Sequence, residues 1–211
     1  MSSLKKLSVI LLAAGFCLAA GCKAPQPKTS IEPIIAPYKA NISAARLGIF
    51  CFRTPFQDPV LESHLAHQLH QDLLARRIAR VVEVIPETFR DLSEAIDRAR
   101  ILGYDVVILG QIQEAFWGGD IEPSKATVEL RAVDAVRKLT IWYLKGTARA
   151  KPRPGRDLIL CQTDGTPARM PQELVRRLLM ELSDELALQI ARQSQTAGAL
   201  PGKTHPQPES P

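Results

Sequence analysis

The first residue in this sequence whose type and position could do chemistry is Cys22, which ends the stretch Leu18-Ala19-Ala20-Gly21-Cys22. Small residues such as Ala20 and Gly21 fit the pocket of a peptidase that removes export signals. A thiol at the next position can be linked through a thioether to diacylglycerol before the chain is cut. The spacing therefore predicts lipidation of Cys22, which then becomes the first residue of the mature protein.

The residues before Cys22 have the three-part plan of a bacterial export signal, which we place at 1–21. Lys5 and Lys6 come first, then an uncharged apolar run over 7–20, then small residues. The run is too short for a permanent membrane-spanning helix. An ordinary secretory signal or an uncleaved anchor that happens to contain cysteine is the alternative.

This leader resembles the lipobox of bacterial lipoproteins, with Ala19 where leucine is commonest and Leu18 one place earlier. The resemblance implies two or three acyl chains on Cys22, and that number makes membrane attachment effectively stable. In that family an aspartate after the cysteine favours the inner membrane, whereas this sequence has Lys23. We therefore expect a lipid-anchored protein of the outer membrane that faces the periplasm.

Three histidines, His64, His67 and His70, form the only histidine cluster. On a helix they lie opposite the leucine stripe that starts at Leu61 and repeats every four residues, so we expect them to face water. Two histidines three residues apart could hold zinc weakly, but a zinc site needs three or four converging ligands. We predict no metal site.

No catalytic motif is found in the sequence. Gly118-Gly119 is an isolated pair and not a phosphate-binding loop, and no nucleophile elbow is present. Asp184 and Glu185 are expected on the exposed side of the last helix. We therefore predict a protein that is not an enzyme and needs no cofactor.

Aromatic residues are few, at 5% of the chain, so their placement is informative. Phe116 and Trp117 come before Gly118-Gly119 and are expected at the tip of a hairpin, where exposed apolar area usually marks a contact. With Asp120 and Ile121 they form our candidate partner contact. The alternative is that the two aromatic rings pack on their own domain.

Two cysteines remain in the mature chain, Cys51 and Cys161. An oxidising periplasm and an even number favour a disulfide between them. Cysteine also packs as a small hydrophobic residue. Two separately buried thiols are therefore the alternative.

Hydrophobic patterns divide the mature chain into three parts. Residues 22–44 are proline-rich and predict an extended tether, 45–193 form one domain, and 194–211 lack apolar periodicity and predict a disordered tail. The order of strand and helix patterns in the domain predicts an α/β fold, a β-α-β-α-β-β-β-α sandwich. Its mixed sheet has three parallel strands first and an antiparallel hairpin near the C-terminus.

Several short motifs of the domain resemble the α/β domain of a group of envelope proteins. They are the strand that ends in Arg53-Thr54-Pro55, the Gly103-Tyr104-Asp105 turn, Gly110, and a hairpin with Asp134 and Trp142. The group contains the TolB amino-terminal domain, the curli secretion lipoprotein CsgG and the lipoprotein activators of penicillin-binding proteins. The sequence departs from it at Val136-Arg137-Lys138, which replaces the usual Thr-Gly turn.

The resemblance implies a non-enzymatic module that binds another envelope protein or helps to assemble a complex. The alternative is a periplasmic lipoprotein that holds peptidoglycan or a small solute at the strand ends. Removal of the signal lowers the formal charge from +5 to +3, too mild a value to indicate nucleic-acid binding. The expected partners are membrane lipid through Cys22 and an envelope protein, and self-association stays open.

Overall fold

The computed structural model describes residues 26–35, 42–158, 161–163 and 165–198, without the side chains of 156–158, 161–163 and 191–198. Its helices and strands, in chain order, are β1 (Lys28–Ile35), β2 (Arg46–Phe50), α1 (Pro59–Ala75), β3 (Val81–Ile85), α2 (Leu92–Ile101), β4 (Val106–Phe116), β5 (Ser124–Asp134), β6 (Leu139–Ala150), β7 (Arg156–Leu158), β8 (Cys161–Thr163) and α3 (Pro171–Gly198).

The main sheet has six strands in the order β1-β6-β5-β4-β2-β3. Strand β2 runs parallel to both β3 and β4, which is the pairing that the two helical crossovers require. Strands β4, β5, β6 and β1 pair antiparallel in succession. The predicted α/β sandwich with a mixed sheet is therefore confirmed.

Strand β1 was not predicted, because its residues fall within the proline-rich segment that the sequence assigns to a tether. In the structure Lys28 pairs with Arg149 and Ser30 with Thr147 along β6. Pro33 is tolerated there because β1 is an edge strand. One side of an edge strand has no neighbouring strand, so a residue without an N–H on that side removes no hydrogen bond from the sheet. The folded domain therefore begins before residue 45.

Helix α1 begins where its sequence supplies a cap. The Asp58 side chain accepts from the backbone N–H groups of Val60 and Leu61 at 3.0 and 3.2 Å, and Pro59 is the first helical residue. Leucines spaced by four residues then face the sheet and are buried, namely Leu65, Leu69 and Leu73. The helix therefore packs on the sheet through one apolar stripe.

Helix α3 lies beside α1 on the same face of the sheet. Its buried apolar side chains are Leu174, Val175, Leu178, Leu179, Leu182 and Leu186, and Trp142 of β6 is buried beneath this layer. The helix continues to Gly198, so Ser194 to Gly198 are helical, although the sequence assigns them to a disordered tail. The α1 and α3 layer encloses the larger core.

Helix α2 lies on the opposite face. It begins at the cap Asp91, whose carboxylate accepts from the N–H of Glu94 at 2.9 Å, and it buries Ala95, Ile96 and Ala99 against Phe50. This single helix covers β2, β3, part of β4 and Val133 near the end of β5. Most side chains on the rest of that face, on β4, β5, β6 and β1, are polar.

The short hairpin of β7 and β8 was also not predicted, because three-residue strands give no usable periodicity.

Among the described residues, none of the helices combines the length and the apolar character that a membrane crossing requires.

Candidate interaction site

The loop between β4 and β5 presents an exposed apolar tip at one end of the sheet. Phe116 is 46% exposed, Trp117 54% and Ile121 90%, and Asp120 beside them is exposed as well. The structure thus brings together the four residues that the sequence selects as a partner contact. We call Phe116, Trp117, Asp120 and Ile121 the hairpin tip.

Backbone hydrogen bonds hold the hairpin tip in place. Within the loop, the N–H of Glu122 donates to the carbonyl of Gly118 at 3.1 Å, and the N–H of Gly118 donates to the Ser124 hydroxyl at 3.1 Å. Across to the segment before α3, the N–H of Ala168 donates to the carbonyl of Gly119 at 2.8 Å. The tip is therefore exposed without being loosely attached.

The two glycines of the loop are required by its geometry. A Cβ on Gly118 would lie 2.0 Å from the carbonyl oxygen of Glu122, and Gly119 has a φ of +64°. No side chain fits at the first position, and the second lies in the left-handed region that favours glycine. The Gly-Gly pair thus shapes the tip.

Trp117 packs only partly on its own domain, which was the alternative to a partner contact. Its indole Nε1 donates to the carbonyl of Ala168 at 3.2 Å, so the ring has a fixed polar contact within the domain. About half of its surface stays exposed. Such a ring, held at one edge and open on the other, suits contact with a partner.

An apolar groove of about 580 Å³ lies next to this end of the sheet, between the first turns of α1 and α3. Leu65 and Ile112 are buried side chains that line it, and Ala115 and Val175 contribute further apolar surface. Phe56 at its rim is 58% exposed. This groove was not predicted, although Phe56 in the loop after β2 was an available signal.

A smaller polar crevice, of about 220 Å³, lies on the other face of the sheet beside α2. Its central carboxylate, Glu129, accepts from the Tyr143 hydroxyl at 2.6 Å and from the Gln113 amide at 3.1 Å. Lys145 lies 3.6 Å from its other oxygen. The hydrogen bond to Glu129, followed by burial, raises the pKa of Tyr143 above its usual value.

The cations of this crevice are held over aromatic rings. The guanidinium of Arg131 lies 4.3 Å from the centre of the Tyr143 ring, and that of Arg53 lies 5.7 Å from the Phe89 ring. Arg53 also donates to the carbonyl of Arg90 at 2.9 Å. The two guanidinium groups can bind a polar solute. The Glu129 carboxylate between them already accepts hydrogen bonds from Tyr143 and Gln113.

The histidine cluster is only partly as expected. His64 and His67 are exposed, but His70 is half-buried and its Nε2 lies 3.0 Å from the carbonyl oxygen of Val82. The expectation that His70 faces water is wrong, because β3 follows α1 and lies along its flank. Among the described residues no three His, Cys, Asp or Glu side chains converge as a metal site.

The cysteines fall partly outside the described residues. Cys22 lies there, and so does the side chain of Cys161. Cys51 is a free, buried thiol whose Sγ lies 3.7 Å from the carbonyl oxygen of Ile85, and burial first, then the nearby charge of Glu62, raises its pKa. The Cys51–Cys161 disulfide stays a prediction, because the side chain of Cys161 lies outside the described residues.

The motifs behind the family resemblance have structural roles. The Asp105 carboxylate accepts from the N–H of Arg46 at 2.8 Å. The Asp134 carboxylate accepts from Val136 and Arg137 at 2.9 and 2.8 Å and so closes the β5–β6 turn. Trp142 is buried. These residues stabilise the fold and do not form a site.

No protein-family model and no curated protein sequence matches the chain. Among solved structures, a single-substitution variant of the PelC dodecamer from Paraburkholderia phytofirmans matches with 15% identity and a TM-score of 0.51, over 74% of this chain and 95% of that one. Another structure of the PelC dodecamer from the same organism matches with 12% identity and a TM-score of 0.52, over 77% and 98%. At these identities the likeness shows the fold alone.

The lipoprotein GNA1162 from Neisseria meningitidis also matches, with 13% identity over 74% of this chain and 99% of that one, at a TM-score of 0.36. A likeness this weak supports no argument about function. Membership of the CsgG and TolB group is not shown by these comparisons, so that resemblance stays a prediction.

The two tryptophans of the chain provide a matched test of the hairpin tip. We predict that Trp117→Ala lowers the free energy of unfolding by about 1 kcal/mol, since it removes one hydrogen bond from a half-exposed ring. Trp142→Ala should cost about 3 to 5 kcal/mol because that ring is fully buried. Denaturant unfolding of both variants measures the difference; equal losses would show that Trp117 belongs to the core.

Proposed function

We propose that this protein is a lipid-anchored envelope module that binds another envelope protein through the hairpin tip and catalyses no reaction. The observation that supports it most is an apolar tip that is exposed and yet fixed by backbone hydrogen bonds. Exposed Trp and Phe clusters of this kind are typical of the centres of protein interfaces. A tip that is already ordered also loses little conformational entropy when it binds.

The groups around the hairpin tip indicate the chemistry of its partner. Asp120 and Glu122 place two exposed carboxylates beside the exposed side chain of Ile121. The groove beyond the tip adds apolar area with Phe56 at its rim. A fitting partner therefore presents an apolar surface edged by lysine or arginine, since complementary charges at a rim favour association.

The proposed anchor raises the effectiveness of this contact. Acylation of Cys22 would hold the domain at the periplasmic face of the outer membrane, as Lys23 favours in the lipoprotein sorting rule. Tethering converts a three-dimensional search into a local one, so a modest intrinsic affinity is sufficient.

A photo-reactive amino acid at position 121 tests the contact in intact envelopes, and one at position 101 is the control. Ile121 and Ile101 are both highly exposed, at 90% and 78%, but Ile101 ends α2 at the opposite end of the sheet. We expect a specific protein adduct from position 121 only. Equal adducts from both positions would contradict the proposal.

The affinity for the captured protein should depend on the same residues. We predict that Trp117→Ala weakens binding by about 2 kcal/mol, or roughly thirtyfold, because it removes a central aromatic contact. Ile101→Ser should leave the affinity unchanged. An unchanged affinity for Trp117→Ala, in a protein of unchanged fold, would exclude the hairpin tip as the contact.

The anchor has a separate test. We predict that Cys22→Ser leaves the product unprocessed and without acyl chains, because the thioether cannot form. Metabolic labelling with a clickable palmitate measures this, and labelling of the Cys22→Ser protein would contradict lipidation at that position.

The partner could be a second copy of this chain, as in the dodecamer that PelC forms. The adduct from position 121 distinguishes the two outcomes, because an adduct of twice the mass of this chain indicates self-association. A heavier or lighter adduct indicates a different protein.

One observation favours the alternative function, binding of a cell-wall fragment or small solute. The polar crevice beside α2 contains Arg53 and Arg131 with aromatic rings beneath them. We place solute binding second because Glu129, the carboxylate of the crevice, is already paired with Tyr143 and Lys145. A rise in melting temperature with muropeptides, absent in Arg131→Gln, would favour it over the protein contact.

A further inference from the structure

A row of cations crosses the sheet at the end where β1 begins. Lys28 of β1 pairs in register with Arg149 of β6, and Arg149 pairs with Lys125 of β5. Side chains of directly opposed residues lie on the same face. Lys151 follows β6 and lines the same surface depression as Lys28 and Arg149. We call Lys28, Lys125, Arg149 and Lys151 the cation row.

Most of this charge has no internal partner. Lys125 forms an ion pair with Glu114, but among the described residues no carboxylate lies within ion-pairing distance of Lys28, Arg149 or Lys151. These three residues are exposed. Like charges placed directly opposite destabilise a sheet, so the row is best stabilised by negative charge from outside the chain.

The N-terminal chain brings the cation row close to the proposed anchor. Gln26 is held to α3, because the Arg177 guanidinium donates to its side-chain oxygen at 2.7 Å. Gln26 comes four positions after Cys22, so the two lie at most about 14 Å apart, and Lys28 lies within about 22 Å of Cys22. The row therefore cannot move far from the membrane once Cys22 carries its acyl chains.

We infer that the cation row binds anionic phospholipid headgroups, so that the domain sits on the bilayer with one defined end towards it. This rests on the proposed acylation of Cys22. Each lysine or arginine near an anionic leaflet strengthens binding by about fivefold. The hairpin tip at the same end contains Asp120, and Glu122 follows it in the loop; such a leaflet repels both carboxylates. The tip is thus left for the protein partner.

The test uses the acylated mature protein in two kinds of vesicle, phosphatidylcholine alone and phosphatidylcholine with phosphatidylglycerol. The measured quantity is the rate at which an amine-reactive label modifies each lysine, read by mass spectrometry. We expect phosphatidylglycerol to slow labelling of Lys28, Lys125 and Lys151 several-fold, and high salt to reverse the effect because it screens the charges. Lys138, in the β5–β6 turn at the far end, should be unaffected.

A pair of matched variants identifies the source of the protection. Arg149→Gln with Lys151→Gln should remove most of the slowing at Lys28, because two neighbouring cations are lost. Arg100→Gln with Lys138→Gln removes the same charge at the opposite end and should change nothing. Since all four positions are exposed, both double variants should fold normally.

The outcomes separate this inference from the proposed function. Co-sedimentation with both vesicles but no phosphatidylglycerol-dependent slowing would overturn the lipid contact and leave the anchored binding module intact. Failure to co-sediment with phosphatidylcholine vesicles would overturn the anchor and both proposals. Protection of the row in native envelopes but not in vesicles would show that a protein covers it, which also overturns the lipid contact.

Discussion

The pairing of β1 with β6 is the constraint on which the organisation of this protein depends. It places Lys28 beside Arg149, and the hydrogen bond from Arg177 holds Gln26 against α3. The chain is therefore joined to the domain from Gln26 onward, four positions after Cys22. A domain on a long tether could take any orientation, whereas the strand register fixes which end of this domain lies nearest the proposed anchor.

The distribution of helices over the sheet explains which surfaces are free to act. Helices α1 and α3 cover one face and bury Trp142 and the main core. Helix α2 covers β2, β3, part of β4 and the end of β5 on the other face, and the polar side chains on the rest of β5, on β6 and on β1 stay open. The hairpin tip and the cation row lie at the part of the sheet that α2 does not cover. The two proposed contacts use surfaces that the core does not need.

Much of the fold could be predicted from sequence because its signals are local. The leucine spacing predicted α1, and the apolar runs predicted β2 and β4. Strand β1 was missed because pairing with β6 overrides the extended, solvated conformation that prolines suggest. His70 is half-buried because it contacts β3, and the spacing of residues along a helix cannot predict a contact with a later strand.

The candidate site was predictable for a different reason. Phe116 and Trp117 stand before a Gly-Gly pair, which identifies a turn, and apolar residues in a turn are unusual. The groove lined by Ile112 and Val175 joins elements that are far apart in the chain, so no sequence pattern could show it. The cation row likewise exists only through the register of three strands.

The distance of each end of the domain from the bilayer tests the central claim of a defined orientation. Fluorophores attached through p-azidophenylalanine at position 121 or 101 of the acylated protein report energy transfer to headgroup acceptors. We predict that position 121 lies nearer the bilayer than position 101, by up to the length of β4, roughly 30 Å. Equal transfer from both positions, as a freely rotating domain would give, would contradict it.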